Sequence, residues 1–356
     1  MRAKQPLDVA IVGLAHLHPP LYLPTFQSLP AFRVIAAVDP DPQILRPFCE
    51  EFGLKPFPSL EDLLAEQEPD VAAIFLPHAA CPEAAEVCAR AGVHLMIEKP
   101  MAAHTEGARR IVETAARNGV KLTTGYCWRL HPAARAFKQL IADGAVGRPV
   151  AAEGRCAAGR LQRYLDGHAA WMLDPRQSGG GPMLNLGVHW IDFFRWVLQD
   201  EVTEVSARNA RVNTRYEIED NSFAHLRFAQ GTLAALDISY TVPDAFPHGR
   251  DLYVAVRGTA GVLSWAPAYE GECDVLTVCS DDNAFRGAAN RQITFQLDPV
   301  PGYSGYMGRE YVRAFARSVL EGGEPPVTGQ DGLAALQVVE AVYQADRERR
   351  WVPVPD

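Results

Sequence analysis

The chain has 356 residues, of which 48% are hydrophobic and 22% are charged, a composition typical of a soluble globular protein. This length exceeds what one hydrophobic core comfortably fills, so two domains are expected. The formal net charge of −9 disfavours nucleic acid as a partner, because phosphate backbones attract basic surfaces, and no apolar run is long enough to span a membrane.

Two features of the sequence bear on the compartment. The seven cysteines are odd in number and include no CxxC pair, which predicts reduced thiols in a cytoplasm. The first residues, MRAKQPLDVAIVGLA, place basic residues before an apolar run, as a signal peptide does. Asp8 interrupts that run and no small-residue cleavage site follows, so we interpret the segment as a first strand.

Residues 1–125 alternate between short apolar runs and amphipathic stretches. The predicted strands are VAIVG, RVIAAVD, DVAAIFLP, HLMIEKP and KLTTGY. The predicted helices are DPQILRPFCEEFG, SLEDLLAEQ, CPEAAEVCARAG and HTEGARRIVETAARNG, with Ser59 and Asp62 as a cap and Gly92 and Gly119 at helix ends. This alternation predicts an α/β dinucleotide-binding domain over residues 1–125, with a doubly wound parallel sheet of the Rossmann type.

Residues 126–356 have a different pattern, with longer β-rich stretches. Helices are predicted at HPAARAFKQLIADG, GPMLNLGVHWIDFFRWVL, YVRAFARSVLEGG and DGLAALQVVEAVYQADRER, and strands at VTEVSARNARV, SFAHLRFA, TLAALDISYTV and DLYVAVRG. The Gln230-Gly231 pair between two alternating runs predicts a hairpin turn. Residues 126–356 are therefore expected to form an α+β domain with a mainly antiparallel sheet.

The stretch VGLAHLHPP follows the first predicted strand, where a dinucleotide-binding unit has G-x-G-x-x-G. Its three glycine slots hold Gly13, Ala15 and His18. Gly13 allows the tight bend and Ala15 adds only a methyl group, but His18 cannot pack as closely as glycine. Because three prolines follow, the helix is expected to begin late or to have a rebuilt first turn. The turn alone is weak evidence for a dinucleotide.

The loop histidines allow two interpretations. His16 and His18, with His78 nearby in the fold, have a spacing that metal sites use, but no cysteine or carboxylate lies close in sequence. Contact with the cofactor or substrate is favoured, and no metal site is predicted. The candidate cofactor-binding residues here are His16, His18, His78 and the adjacent Pro77.

Asp39 ends the second predicted strand, in AAVDPDP, roughly 20 residues beyond the glycine turn. An acidic side chain at this position accepts hydrogen bonds from the ribose hydroxyls of NAD. A 2′-phosphate would meet this carboxylate with no arginine immediately following, so NAD is predicted and NADP is disfavoured. An ordinary Asp-Pro turn is the alternative.

Glu98 and Lys99 end the fifth predicted strand, in HLMIEKPMA, at the edge where open α/β sheets bind ligands. With this segment the chain resembles the Gfo/Idh/MocA family, named for glucose-fructose oxidoreductase, inositol dehydrogenase and a rhizopine-catabolism protein. The resemblance covers nearly the whole chain, through TGYCWRLHP, DGAVGRP, W-x-x-D-P-x-x-S-G-G-G-P-M-L-N-L-G-V-H-W-I-D and VTGQDGLAALQVVEAVY.

The resemblance implies NAD(P)-dependent hydride transfer at an alcohol carbon of a sugar, polyol or cyclitol. It also implies that the second domain, residues 126–356, binds substrate and has an open-faced sheet through which a homodimer or homotetramer forms. Lys99 matches the family's active-site lysine, and His189 matches the histidine of G-x-H-x-x-D that is often assigned as acid/base. Glycines 179–181 match the GGG before the same helix, and Glu98 is expected at the cofactor with Lys99.

Three positions depart from the family pattern: the glycine turn, Cys81 in place of a histidine, and Asn185 in place of an aspartate. Asn185, His189 and Asp192 are spaced for one helical stripe. We expect Lys99 to polarise the reacting hydroxyl, His189 to exchange its proton and Asn185 to hold a neighbouring hydroxyl. For His189 a buried core position is the alternative, and Asp192 could orient the His189 ring or cap a buried network.

Four more residues are substrate-binding candidates at the pocket wall: Tyr126, Arg129, His168 and Trp171. Trp171 offers an apolar face to sugar C–H groups, although a packing role explains a tryptophan equally well. Two other functions stay open on the same fold. One is a glycosidase that oxidises and re-reduces its sugar with retained NAD. The other is a non-catalytic regulator, favoured by the altered turn and Asn185 but not by the presence of Lys99, His189 and GGG.

Overall fold

The computed structural model describes residues 6–243, 245–268 and 272–355. The strands are β1 (Leu7–Val12), β2 (Phe32–Val38), β3 (Lys55–Phe57), β4 (Val71–Ile74), β5 (His94–Ile97), β6 (Leu122–Thr124), β7 (Pro149–Ala158), β8 (Val202–Ala210), β9 (Asn221–Phe228), β10 (Leu233–Ser239), β11 (Arg250–Gly258), β12 (Gly261–Trp265), β13 (Cys273–Ser280), β14 (Asn290–Gln296) and β15 (Val352–Pro353). The α-helices are α1 (Pro19–Gln27), α2 (Pro42–Phe52), α3 (Leu60–Glu66), α4 (Cys81–Arg90), α5 (Thr105–Asn118), α6 (Pro132–Ala142), α7 (Leu161–Asp166), α8 (Pro175–Ser178), α9 (Val188–Leu198), α10 (Gly305–Leu320) and α11 (Gly329–Glu348).

These elements divide into two compact units that are discontinuous in sequence. The first comprises residues 1–127, 162–179 and 300–334, and the second comprises residues 128–161, 180–299 and 335–356. The first break in this division falls two residues after the boundary predicted at 125/126, and two later segments return to the first unit.

The first unit is built on a six-stranded parallel sheet in the order β3-β2-β1-β4-β5-β6. This is the strand order of a dinucleotide-binding Rossmann sheet, and it confirms the predicted fold. The central strands β1 and β4 are buried along their whole length, which explains their continuous apolar sequences. Because the strand order reverses between β1 and β4, the loops that follow these strands flank the crevice where such sheets bind ligands.

Several local predictions in this unit are confirmed. The Ser59 hydroxyl accepts a hydrogen bond from the Asp62 N–H at 3.1 Å and caps α3, and Gly119 ends α5 with φ of 67°. Helix α1 begins at Pro19, as the prolines predicted, and continues through Pro24. The short strand β3 was not predicted, because two of its three residues are exposed and it has no apolar run.

The second unit is built on a nine-stranded sheet in the order β14-β13-β12-β11-β7-β10-β9-β8-β15. Among the described strands of this nine-stranded sheet, β7 and β10 alone pair in parallel. The sheet is therefore mainly antiparallel, as predicted. The predicted hairpin joins β9 to β10, where Gly231 has φ of 91° and donates its N–H to the Phe228 carbonyl at 2.9 Å.

One face of this second sheet is open. Alternate residues of β9 are buried or exposed, with Ala224, Leu226 and Phe228 on the buried side. On the opposite side Phe223 is 52% exposed and Leu233 of β10 is 48% exposed. The sheet therefore presents large apolar side chains to its surroundings.

Two further observations concern helices that could cross a membrane and bonds between cysteines. No helix within the described ranges combines the length and apolar character that a bilayer crossing requires. All seven cysteines lie in the described part of the chain, and no disulfide bond joins any of them there.

Candidate active site

The turn after β1 depends on Gly13. Its φ of 85° is a left-handed conformation, and a Cβ atom built on it would lie 2.9 Å from the Leu76 amide nitrogen. The Gly13 N–H donates to the Val38 carbonyl at 2.8 Å, which ties the turn to β2. A larger residue at position 13 would therefore push the turn away from β4, as the first glycine slot predicts.

Asp39 lies directly after β2 and is 5% exposed. Its carboxylate accepts the Leu14 N–H at 2.7 Å on one oxygen and the Asp41 N–H at 2.9 Å on the other. The side chain thus fixes the glycine turn and the approach to α2. Since each carboxylate oxygen can accept a second hydrogen bond, these contacts are compatible with the predicted contact to ribose hydroxyls.

Three histidines and the Glu98-Lys99 pair come together at the carboxyl edge of the first sheet. The His18 Nδ1 atom lies 3.4 Å from the Glu98 Oε2 atom, and the His16 and His18 ring centroids are 4.5 Å apart. His78 Nδ1 lies 2.7 Å from the Ser178 carbonyl oxygen. Glu98 and Lys99 are buried, and the Lys99-Pro100 peptide bond is cis.

These histidines are neutral imidazoles at neutral pH. Burial lowers the pKa of His16 and of His18 well below the ordinary value, and the charges of Lys99 and, for His18, Arg163 lower it further. Burial also lowers the pKa of His78 to about 4. Each ring therefore presents one N–H donor and one nitrogen acceptor rather than a positive charge.

Trp171 packs between two of these rings. Its ring centroid lies 5.9 Å from that of His16 and 4.8 Å from that of His78, and its indole N–H donates to the Ala15 carbonyl. This is a packing role, and contact with sugar C–H groups stays a prediction. The first unit contains two other substrate-binding candidates, Tyr126 and His168. Tyr126 is fully buried, whereas His168 is exposed and has a backbone φ of 56°.

Pro77 and Cys81 flank His78 in the loop that follows β4. The Cys81 thiol is buried and lies 3.6 Å from the carbonyl oxygens of Leu76 and Pro77. Burial raises the pKa of this thiol to about 12, so it is neutral at neutral pH. Within the described ranges, no three His, Cys, Asp or Glu side chains are grouped so that they could hold a metal ion.

In the second unit, the helix that carries His189 differs from the one predicted. Residues Met183–Gly187 form a π-helical turn, and α9 begins only at Val188. A π turn holds more residues than the 3.6 of an α-helix, so the stripe expected for Asn185, His189 and Asp192 does not extend across it. Asn185 donates its side-chain N–H to the Tyr240 hydroxyl at 2.8 Å, and His189 is half-buried.

Asp192 forms a buried ion pair with Arg129. The guanidinium donates to the two carboxylate oxygens at 2.9 and 2.5 Å, and the two side chains are 9% and 1% exposed for Arg129 and Asp192. The contact with Arg129 is a buried network, one of the two roles left open for Asp192, and an orienting contact with the His189 ring stays a prediction. A contact between Arg129 and substrate stays a prediction.

The GGG segment packs against the Glu219 carboxylate, which the sequence did not predict. A Cβ atom on Gly181 would overlap the Glu219 backbone, and one on Gly180 would overlap the Tyr343 hydroxyl. The Glu219 carboxylate accepts the Gly181 N–H at 2.9 Å, the Met183 N–H at 3.2 Å and the Tyr343 hydroxyl at 2.8 Å. Burial raises the Glu219 pKa to about 7. No motif surrounds Glu219, so only the fold reveals that it fixes the start of the π turn.

The first unit fits a bound dinucleotide. The buried polar atoms of this unit that lack a hydrogen-bond partner among the described residues include Nε2 of His16, Nε2 of His78 and both carboxylate oxygens of Glu98. Buried polar atoms are almost always paired, and a dinucleotide carries hydroxyl and amide groups that can pair with these atoms. Gly13 and Asp39 lie at the same edge of the sheet.

Comparison with known proteins gives two family matches along this chain. Residues 7–126 match the profile described as "Oxidoreductase family, NAD-binding Rossmann fold", and residues 134–264 match "GFO/IDH/MocA C-terminal domain". The chain is 31% identical over 302 residues to 1,5-anhydro-D-fructose reductase of Ensifer adhaerens, covering 84% of each protein. It is 26% identical to D-apiose dehydrogenase of Paraburkholderia graminis, over 95% of this chain and 85% of the relative.

Solved structures share the fold. An oxidoreductase from Agrobacterium radiobacter in complex with NAD⁺, L-tartaric acid and magnesium superposes with a TM-score of 0.83 at 20% identity, over 98% of this chain and 99% of that one. The WlbA dehydrogenase from Bordetella pertussis, in complex with NADH and UDP-GlcNAcA, gives 0.81 at 23% identity, over 99% and 100%.

Proposed function

Because the chain belongs to the Gfo/Idh/MocA oxidoreductase family, we propose that it transfers a hydride between NAD and a secondary alcohol or ketone of a sugar, polyol or cyclitol. The chain is an oxidoreductase that acts on CH–OH groups, with an NAD-binding Rossmann domain. The observation that carries the finer proposal is the buried Lys99, placed with Glu98 directly after β5 at the ligand-binding edge of the first sheet.

NAD, when bound, would supply the hydride-transfer chemistry. Residues of this chain would bind the reacting oxygen and transfer its proton. In the proposed reaction the Lys99 ammonium donates a hydrogen bond to the reacting oxygen and so favours loss of its proton. His189 takes up that proton during oxidation and returns it during reduction. Asn185, held by Tyr240, donates to a neighbouring hydroxyl and fixes which carbon reacts. The neutral rings of His16, His18 and His78 add no positive charge of their own beside Lys99.

The choice of NAD over NADP is a prediction that rests on Asp39. The wild-type protein should bind NADH more tightly than NADPH, because the 2′-phosphate would be repelled by the Asp39 carboxylate. Asp39→Asn removes the charge and keeps the size of the side chain, and its amide nitrogen replaces one of the two oxygens that accept the Leu14 and Asp41 N–H groups. We expect it to narrow the ratio of the two Kd values about tenfold, which corresponds to ~1.4 kcal/mol. Titrations with NADH and NADPH, followed by tryptophan fluorescence, measure this ratio.

Asp41→Asn is the matched control for this titration. Asp41 caps α2 from an exposed position two residues further along the chain, so its charge should leave the ratio unchanged. If both substitutions changed the ratio equally, the negative charge of this region, and not a contact between Asp39 and the ribose, would set the preference for NADH over NADPH.

The same protein samples test the proposed reaction. After a check for cofactor that survives purification, polyols and cyclitols are screened with NAD⁺ for the absorbance of NADH. Net NADH formation supports the dehydrogenase. Cofactor retained through purification, with sugar turnover and no net NADH, would favour the glycosidase. Dinucleotide binding with no turnover of any sugar or polyol would favour the regulator.

The open sheet face supports a second part of the proposal, a homodimer formed face to face. Phe223, Leu233 and Trp351 are large apolar side chains exposed on or beside this sheet, and apolar surface of this kind favours burial. Phe223→Asp should convert the dimer to monomers in light-scattering measurements, because it would place two buried charges at a self-complementary interface. Val212→Asp is the control, since Val212 is 71% exposed but lies outside the strands. A monomeric wild-type protein would contradict this prediction.

A further inference from the structure

The first turn of α1 has no N–H left for a ligand. Pro19 and Pro20, its first two residues, have no N–H at all. The N–H groups of Leu21 and Tyr22 both donate to the His18 carbonyl at 2.9 Å, and the His18 N–H donates to His16 Nδ1 at 3.0 Å. Every backbone position from the cap through the first turn is therefore either without a hydrogen or already bonded.

This arrangement removes the usual anion site of a Rossmann unit. In such units the diphosphate of the dinucleotide binds the N–H groups at the start of the first helix. Here a diphosphate placed at the same turn would meet prolines and occupied amides. Another donor at this turn must take over if the dinucleotide is to bind.

His16 supplies a donor of the required kind. Its Nδ1 accepts the His18 N–H, so the proton of the neutral ring lies on Nε2. The His16 side chain is 4% exposed, and its Nε2 has no hydrogen-bond partner within the described ranges. A buried N–H without an acceptor is unfavourable, so this atom requires a partner that the protein itself does not provide.

A second histidine of the same chain shows the complete form of this motif. His131 is the residue before Pro132 at the start of α6, and its Nδ1 accepts the N–H of the residue two positions later, Ala133, at 3.1 Å, as the His16 Nδ1 accepts that of His18. Its Nε2 lies 3.1 Å from the carboxylate of Asp274. In that setting the motif presents its Nε2–H to an anion.

We propose that the His16 Nε2–H donates a hydrogen bond to the diphosphate of the dinucleotide and replaces the helix amides that α1 lacks. This inference rests on the proposed function. His16 is then a cofactor-binding residue. The hydrogen bond from the His18 N–H to the His16 Nδ1 holds the proton of the His16 ring on Nε2. It also explains why this turn tolerates a proline pair that would otherwise close the site.

The test compares the affinities of wild type and His16→Phe for NADH and for ADP-ribose, measured by calorimetry. ADP-ribose keeps the diphosphate and lacks nicotinamide. Loss of one hydrogen bond to a charged group should weaken both ligands about 10- to 100-fold. His94→Phe is the matched control, because the His94 Nδ1 also accepts a backbone N–H, that of Lys121, but at the amino end of β5. It should leave both affinities unchanged.

Two further measurements extend this test, and the second of them needs no substitution at His16, so it holds even if His16→Phe folds poorly. Pro20→Ala returns an N–H to the first turn at an exposed position, so His16→Phe with Pro20→Ala should bind ADP-ribose several-fold more tightly than His16→Phe alone. In wild-type protein with ¹⁵N-labelled histidine, nuclear magnetic resonance should show His16 protonated at Nε2, and its signal should shift when ADP-ribose binds.

The outcomes separate this inference from the proposed function. A wild-type protein that binds no dinucleotide would overturn both. Dinucleotide binding that His16→Phe leaves unchanged, or weakens for NADH alone, would overturn the inference and leave the proposed function standing. A His16 ring protonated at Nδ1 would overturn it as well.

Discussion

Lys99→Met is expected to lower kcat by about 10²- to 10⁴-fold, the range by which a positioned proton-transfer group accelerates a reaction. Methionine keeps most of the length of the side chain and removes its charge, so the buried position after β5 should still be filled. NADH binding should be retained, because the substitution leaves the glycine turn and Asp39 intact. Steady-state rates with a confirmed substrate, together with NADH titration, measure the two effects separately.

His189→Ala is the companion substitution. It should lower kcat by a similar order and remove the limb of the pH–rate profile that reports a histidine base, which a structural role would not do. Lys121→Met is the control, because Lys121 lies just before β6, away from the carboxyl edge of the sheet. If Lys99→Met and His189→Ala both keep full turnover, the assignment of these two residues is wrong.

Arg129→Met is expected to destabilise the protein by about 3–5 kcal/mol, because it leaves the Asp192 carboxylate, which is 1% exposed, without its guanidinium. Urea unfolding followed by fluorescence measures the change. Arg155→Met is the control: Arg155 pairs with Asp251 at 2.7 Å, but the two side chains are 36% and 31% exposed, so we expect a change of at most ~1 kcal/mol.

This experiment also decides between two roles for Arg129. A large loss of stability with unchanged KM in the folded fraction identifies the buried ion pair as its main function. A small loss of stability with a raised KM would instead support the substrate contact expected from the sequence.

The architecture of the first unit was accessible from sequence because its signals are local. Buried parallel strands such as β1 and β4 appear as continuous apolar runs, and caps such as Ser59 act within one turn. Strand β14 was missed for the opposite reason. Its alternation is confined to Ile293 and Phe295, each of its residues is exposed or half-exposed, and pairing with β13 defines the strand.

The candidate site divides in the same way. Gly13, Asp39 and Lys99 could be placed from sequence, because a strand end fixes the edge of the sheet at which the next residues lie. The π turn at Met183–Gly187 could not, since it depends on Glu219, a residue more than thirty positions away that binds the Gly181 and Met183 N–H groups. A helical pattern alone predicts a continuous α-helix there.

Sequence by itself determined the fold class, the family resemblance and the edge of the sheet at which Gly13, Asp39 and Lys99 lie, because these follow from periodicity and from motifs only a few residues long. Tertiary structure alone decided which buried polar atoms have partners. It pairs Arg129 with Asp192, and it leaves the Nε2 of His16 without a partner among the described residues. The physical reason is that hydrogen bonds act over about 3 Å, so their partners are set by which distant segments the fold brings into contact.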